Sequence, residues 1–324
     1  MRVLITGGAG FIGSHLAERL LRDDHEVVAL DNLSTGTLDN LAGVRDDPRF
    51  TCVIGSVRDA ALVDELVQEC DVTVHLAAAV GVRLILSRPS VSLHTNVNGT
   101  ENVVHAASSR NKKVIIASTS EVYGKSRTMP FSESDDLVLG STANLRWSYA
   151  CAKALDECLA LAYAQEGKLA AMVVRLFNTT GPRQTGHYGM VLPGFIAQAL
   201  RGEPITVYGT GAQSRCFAHV ADVVESIVRL MATPAAYGEI FNVGNDEEIT
   251  IEDLALRVKA ATGSASPVQK LPYSDVYGPG FEDMARRVPD VRKLERCIGY
   301  RPRTSLDRII ADIVAAQRAA VELH

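Results

Sequence analysis

The sequence predicts an α/β chain built on a doubly wound parallel sheet, with a smaller, interleaved C-terminal lobe. Three observations predict it. Short, nearly continuous apolar runs recur between amphipathic stretches, as expected of strands covered on both faces. The first run leads into a glycine-rich turn and then a helix. After residue 177 the texture changes: nine of the twelve prolines lie there, and the apolar segments shorten.

Each element follows from its residues. Arg2 to Thr6 is an apolar run ending at Gly7-Gly8-Ala9-Gly10-Phe11-Ile12-Gly13, after which Leu16, Leu20 and Leu21 recur at helical spacing. Glu26 to Leu30 reads as the second strand, closed by Asp31. Thr51–Ile54, Val72–Leu76, Val114–Ser118 and Ala171–Leu176 read as the third to sixth strands, with helices over 60–69, 90–110 and 147–165. A helix over Val220–Met231 and a strand over Ile240–Val243 return to the main sheet. The expected division is a nucleotide-binding domain over 1–176 and about 217–247, and a substrate lobe over about 177–216 and 248–324. In such sheets ligands sit beyond the carboxyl ends of the strands. Leu76-Ala77-Ala78, Ser118-Thr119-Ser120-Glu121 and Phe177-Asn178 occupy those ends and are expected to converge.

The glycine turn carries the first chemistry. Gly7, Gly10 and Gly13 let the backbone turn tightly and approach a pyrophosphate, whose charge then faces a helix N-terminus. Asp31, at the end of the second strand, can accept both ribose hydroxyls of an adenosine and would repel a 2′-phosphate; no Arg immediately succeeds it. The pattern predicts NAD rather than NADP.

The second chemistry is Tyr149-Ala150-Cys151-Ala152-Lys153. A Tyr and a Lys four apart share a helix face. The ammonium is expected to favour the phenolate and draw the Tyr pKa down toward neutrality. Such a Tyr is a general base that takes a hydroxyl proton while hydride leaves the same carbon.

Composition excludes other classes. A net charge of −5 supplies no basic field for nucleic acid. No apolar run reaches membrane-spanning length, and the short first run does not read as a secretion signal, so a cytoplasmic location is expected. Cys52, Cys70, Cys151, Cys158, Cys216 and Cys297 are scattered without a CxxC pair, and the histidines lack metal-ligand spacing; neither disulfide frame nor metal site is expected.

These motifs together resemble the extended short-chain dehydrogenase/reductase family that modifies nucleotide sugars, which is built on a Rossmann-type sheet. The resemblance spans essentially the whole chain: GGAGFIG at 7–13, Asp31-Asn32, His75-Leu76-Ala77-Ala78, Asn96 before Asn98-Gly99-Thr100, the Tyr149/Lys153 pair, Phe177-Asn178, Val207–Gly211, Arg215 and Phe241–Gly244. It implies NAD contacts from Gly7, Gly10, Phe11, Ile12, Gly13, Asp31, Asn32, Ser56, Val57, Leu76, Ala77, Ala78, Asn96, Tyr149 and Lys153. The family commonly has an acid where Ser56 stands, so the adenine contact departs from the pattern. Asn178, Tyr208, Arg215 and Arg287 would hold a nucleotide diphosphate, with Tyr277 and Arg83 also on the substrate side. A homodimer through the helices at 90–110 and 147–165 is a further implication.

Members of this family share C4 oxidation and differ in the fate of the resulting ketone. The 4,6-dehydratases carry an adjacent Asp-Glu pair, whereas Ser120 precedes Glu121 here. Glu121 after Ser118-Thr119-Ser120, with Arg146-Trp147, Ser214–Phe217, Tyr277–Asp283 and Arg287–Asp290, resembles the UDP-glucuronate decarboxylases. The resemblance implies oxidation at C4 of UDP-glucuronate and loss of carbon dioxide, giving a UDP-pentose or its 4-keto form. Thr119 or Ser118 would bind O4, and Glu121 and Arg287 would serve the C5–C6 end. Glu121 is expected to oppose the substrate carboxylate and so favour its departure. The alternative is a UDP-sugar 4-epimerase, toward which Gly81-Val82-Arg83 points.

Overall fold

The computed structural model describes residues 1–186, 189–278 and 281–322. From the N-terminus the chain runs β1 (Arg2–Thr6), α1 (Phe11–Arg22), β2 (Glu26–Asp31), β3 (Phe50–Ile54), α2 (Ala60–Glu69), β4 (Val72–His75), α3 (Val82–Ser87), α4 (Pro89–Ser108), β5 (Lys113–Thr119), α5 (Ser148–Gln165) and β6 (Ala170–Leu176). It continues through β7 (Thr179–Thr180), α6 (Val191–Leu200), β8 (Ile205–Tyr208), β9 (Ser214–Cys216), β10 (Ala218–His219), α7 (Val220–Met231) and β11 (Ile240–Val243). Last come β12 (Glu248–Thr250), α8 (Ile251–Thr262), β13 (Val268–Leu271), α9 (Tyr273–Tyr277), β14 (Arg286–Arg287), α10 (Arg292–Ile298) and α11 (Leu306–Glu322).

Seven strands form one parallel sheet in the order β11-β6-β5-β4-β1-β2-β3. Alternate residues of each strand go to opposite faces. Val3 and Ile5 pack with Leu16 and Leu20 of α1 and with Val223 and Ile227 of α7. Leu4 joins Val63 of α2, Val103 and Val104 of α4, and Ile116 and Val173 on the other face. A buried Leu such as Leu20 contributes about 2 kcal/mol. The doubly wound parallel sheet is as expected, with strand and helix bounds within a few residues.

Strand order turns back between β1 and β4, which opens the crevice where such sheets bind ligands. β4, β5 and β6 are neighbours, so the segments after them share one edge, as their positions in sequence predict. A further apolar core joins α6, α8 and α11, where Leu306, Ile309, Ile310, Ile313 and Val314 form one stripe. Thr250 caps α8 by accepting from Asp253 N–H at 3.1 Å, and Gly263 ends it in the left-handed conformation. Among the described residues no helix is long and apolar enough to cross a membrane.

Candidate active site

The glycine turn is closed by backbone against backbone. Gly7 has φ +74°, and a Cβ there would lie 2.9 Å from the Ala77 nitrogen; a Cβ on Gly13 would lie 2.2 Å from the Gly7 carbonyl oxygen. Helix α1 starts just beyond, with no side-chain cap and no acid in its first turn. Its first N–H groups therefore suit a pyrophosphate. Asp31 Oδ2 accepts from Ala9 N–H at 3.0 Å and Oδ1 from Leu33 N–H at 2.8 Å. The carboxylate thus ties the glycine turn to the loop after β2, and an ionised carboxylate retains lone pairs for ribose hydroxyls.

Other expected cofactor residues shape this crevice. Asn32 accepts from Ser34 N–H and Ser56 from Arg58 N–H, so both side chains order their own loops. Val57 is buried against Gly99, where a Cβ would come 2.7 Å from Val57 Cγ2. Ala77 N–H donates to Thr6 Oγ1 at 3.2 Å. Buried Asn96 accepts from Ala79 N–H at 2.8 Å and fixes the loop after β4. The arrangement fits a dinucleotide.

Tyr149 and Lys153 lie one turn apart on α5, both buried. The structure corrects the expected phenol acidity. Burial pushes the Tyr149 pKa up, and the charges of Glu121 and Asp156 push it further. The Lys153 ammonium meanwhile donates to Asp156 Oδ2 at 2.7 Å, so much of its field is answered within the helix.

The two hydroxyls at the end of β5 also part ways. Ser118 donates to Glu157, which is held by Arg175 at 3.0 Å (Nε) and 2.7 Å (Nη2) in a buried pair. Thr119 accepts from Glu121 N–H at 3.3 Å, which leaves its own proton available to a ligand oxygen.

Glu121 lies in a cluster of alternating charge. Arg146 Nη1 donates to Glu121 Oε2 at 2.5 Å, and Arg287 Nη1 lies 3.4 Å from Oε1. Asp283 faces Arg146 at 3.6 Å, Arg287 at 3.7 Å and Arg215 at 2.8 Å. Burial raises the Glu121 pKa, but Arg146 and Arg287 outweigh it and hold the carboxyl below its usual range. The expected repulsion between Glu121 and a substrate carboxylate therefore does not describe this site, because two guanidiniums already answer the Glu121 charge. Arg146 Nε and Arg287 Nε are buried without a hydrogen-bond partner among the described residues, which a ligand oxygen can supply.

These groups line a cleft of about 520 Å³ together with Tyr149 and Asn178. Asn178 donates to the Cys216 carbonyl at 2.8 Å. Tyr208 meets Tyr277 edge-on at 5.9 Å, and Tyr277 stacks on Phe281 at 4.3 Å, an aromatic wall suited to a base ring. The Arg83 side chain and the Pro279-Gly280 part of the Tyr277–Asp283 motif lie outside the described residues.

Sequence reasoning missed the roles of Arg146, Asp283 and Asp156. Arg146 meets Glu121 from 25 positions away and Asp283 meets Arg215 from 68, separations that no local pattern reveals. Asp156, three residues after Lys153, was open to helical-spacing arguments.

Comparison with known proteins agrees with this geometry. The chain is 42% identical over 317 residues to the UDP-N-acetyl-alpha-D-glucosaminuronate decarboxylase of Bacillus cytotoxicus, covering 97% of this chain and 96% of that protein. It is 36% identical over 306 residues to UDP-glucuronic acid decarboxylase 1 of Danio rerio, covering 94% and 70%. Among solved structures, the dTDP-glucose 4,6-dehydratase DesIV of Streptomyces venezuelae, with NAD and TYD bound, superposes with a TM-score of 0.90 at 33% identity, covering 100% and 98%. The family model described as the NAD dependent epimerase/dehydratase family matches residues 3–244; the chain belongs to that family, and NAD is its cofactor.

Proposed function

We propose that this enzyme oxidises a UDP-uronate at C4 and releases its carboxylate as carbon dioxide. The charge cluster carries the reading. Among the described residues of the cleft beside Tyr149, Arg146, Arg215 and Arg287 have Glu121 and Asp283 as their acidic partners, which leaves one positive charge for an anionic substrate. The named decarboxylases act on UDP-glucuronate or on its 2-acetamido counterpart, so both are substrates to assay.

Each residue then has a task. Tyr149, once ionised, takes the O4 proton, and Thr119 orients O4. NAD supplies the hydride acceptor for C4. The ketone so formed lies β to the carboxylate, and the bond to carbon dioxide breaks with its electrons flowing to O4. The Tyr149 and Thr119 hydroxyls stabilise that oxygen. Arg287, compensated by Glu121 and Asp283, holds the C5–C6 end; a guanidinium is too weak an acid to protonate C5, so water supplies that proton. Asn178, Arg215, Tyr208 and Tyr277 bind the nucleotide diphosphate. The first domain, 1–176 and about 217–247, holds NAD and the second lobe the sugar nucleotide.

The same reading pairs two chains through α4 and α5. Val91 on α4 and Leu155 on α5 are exposed, and a Leu155→Glu substitution is expected to yield a monomer by light scattering.

The deciding experiment is incubation with NAD and each UDP-uronate, with the products read by mass spectrometry. Loss of one carbon dioxide supports decarboxylation. An isomer of unchanged mass would mean 4-epimerisation, and no turnover despite NAD binding would defeat both.

A further inference from the structure

We infer that Arg183 is a positioning residue for the substrate cleft: it straps the segment 178–184 to α1, so that cofactor seated at the N-terminus of α1 tightens the hold on a nucleotide diphosphate. This rests on the proposed seating of that diphosphate beside Asn178.

Two left-handed residues bound the strap, Asn178 with φ +28° and Arg183 with φ +70°. Asn tolerates such values; an Arg keeps one only when its contacts hold it there. At the first end the Asn178 side chain donates to the Cys216 carbonyl at 2.8 Å, and Thr179 and Thr180 pair with Ala218 and His219 in register. At the second end the hold is the Arg183 side chain. Its Nη1 donates to Ser14 Oγ at 3.2 Å, and its Nη2 is paired with Glu18. The Ser14 hydroxyl in turn donates to the Phe11 carbonyl at 3.1 Å, on the first residue of α1. Beside it His15 Nε2 donates to the Pro182 carbonyl at 3.0 Å, and the His15 ring meets Phe11 edge-on at 5.8 Å.

The strap meets the cofactor helix on one side and the cleft on the other. Thr179, Thr180 and Gln184 line the cleft. Thr180 Oγ1 donates to Gln184 Oε1 at 2.8 Å, and Gln184 Nε2 donates to the Thr179 carbonyl at 3.0 Å, so this wall moves as one piece. A left-handed Arg relaxes once its grip is lost, which gives the strap two arrangements, gripped and released. A pyrophosphate at the first N–H groups of α1 fixes Phe11 to Ser14 and favours the gripped arrangement. The gripped wall is the one that meets the nucleotide. Each ligand then does part of the ordering that the other needs, and the coupling is reciprocal.

The test is calorimetric titration of UDP into the full chain, once stripped of NAD and once saturated with it. In the wild type NAD is expected to strengthen UDP binding about tenfold. Arg183→Gly relieves the backbone strain and removes the grip, and the ratio is expected to fall to within about twofold of unity. Glu18→Ala leaves Arg183 in place without its carboxylate and is expected to reduce the ratio to about threefold; it decides the matter if Arg183→Gly does not fold. A merely structural role for Arg183 would weaken UDP equally with and without NAD and leave the ratio unchanged. A ratio near one in the wild type, or an undiminished ratio in the deciding variant, overturns the inference. Carbon dioxide release by a wild type whose UDP binding ignores NAD would overturn this inference alone. A wild type that binds no UDP defeats the seating of the nucleotide diphosphate, and this inference with it.

Discussion

Arg146 Nη1 and Glu121 Oε2 are 2.5 Å apart in a buried pair, and that contact decides what Glu121 can do. A carboxylate held ionised by one guanidinium and flanked by a second is no proton donor near neutral pH. On the proposed function its task is to aim Arg146 and Arg287 at the uronate end of the cleft. Replacing Glu121 by Ala is expected to slow carbon dioxide release about a hundredfold while C4 oxidation, read as NADH formation, slows less than about tenfold. Decarboxylation that survives the substitution intact would remove Glu121 from the reaction.

Tyr149 supplies a second expectation. Its pKa is raised, chiefly by burial. A base must lose its proton to work, so activity is expected to rise with pH toward the phenol pKa of the complex. Tyr149→Phe is expected to lower C4 oxidation about a thousandfold at every pH. Lys153→Met removes the one cation of this helix turn and is expected to move the acid limb about one pH unit higher. A limb that stays put in Lys153→Met would show that the ammonium serves binding alone.

The sheet and the cofactor cradle were legible because their signals are local. A glycine turn between an apolar run and an amphipathic helix, with Asp31 at the next strand end, fits in the first 31 residues. The pairing of Tyr149 with Lys153 follows from helical spacing alone. What the sequence concealed was electrostatic. The acidity of Tyr149 depends on depth of burial and on Glu121. Ser118 and Thr119 look equivalent in sequence, yet only the fold brings Glu157 to Ser118. The Arg146–Glu121–Arg287–Asp283 cluster assembles from three separated segments, and spacing is silent about such convergence.

Asp31 is expected to join loop structure to cofactor choice. Both its oxygens already hold backbone amides, from Ala9 and Leu33. Asp31→Asn keeps the size, removes the charge and replaces one acceptor by a donor facing an N–H. Affinity for NAD is expected to weaken about tenfold to a hundredfold, with the gap between NAD and NADP narrowing, as titration by calorimetry would read. Unchanged preference for NAD over NADP would mean that Asp31 serves the loop and not the ribose.

His75 ties the cofactor crevice to the stability of the fold. Its folded-state pKa is depressed to about 3 from 6.5 because the imidazole is fully buried. Between those values the unfolded chain binds a proton that the folded chain refuses, so stability falls as pH falls through that window. The slope from this residue is about 1.4 kcal/mol per pH unit. From pH 7 to pH 5 it amounts to about 2 kcal/mol. His75 Nε2 lies 3.1 Å from Thr100 Oγ1, and His75→Gln keeps a polar partner there and does not titrate. Urea unfolding at pH 7 and pH 5 is therefore expected to show the wild type losing about 2 kcal/mol more than His75→Gln. Equal losses in the two proteins would mean that His75 takes up its proton without leaving the core.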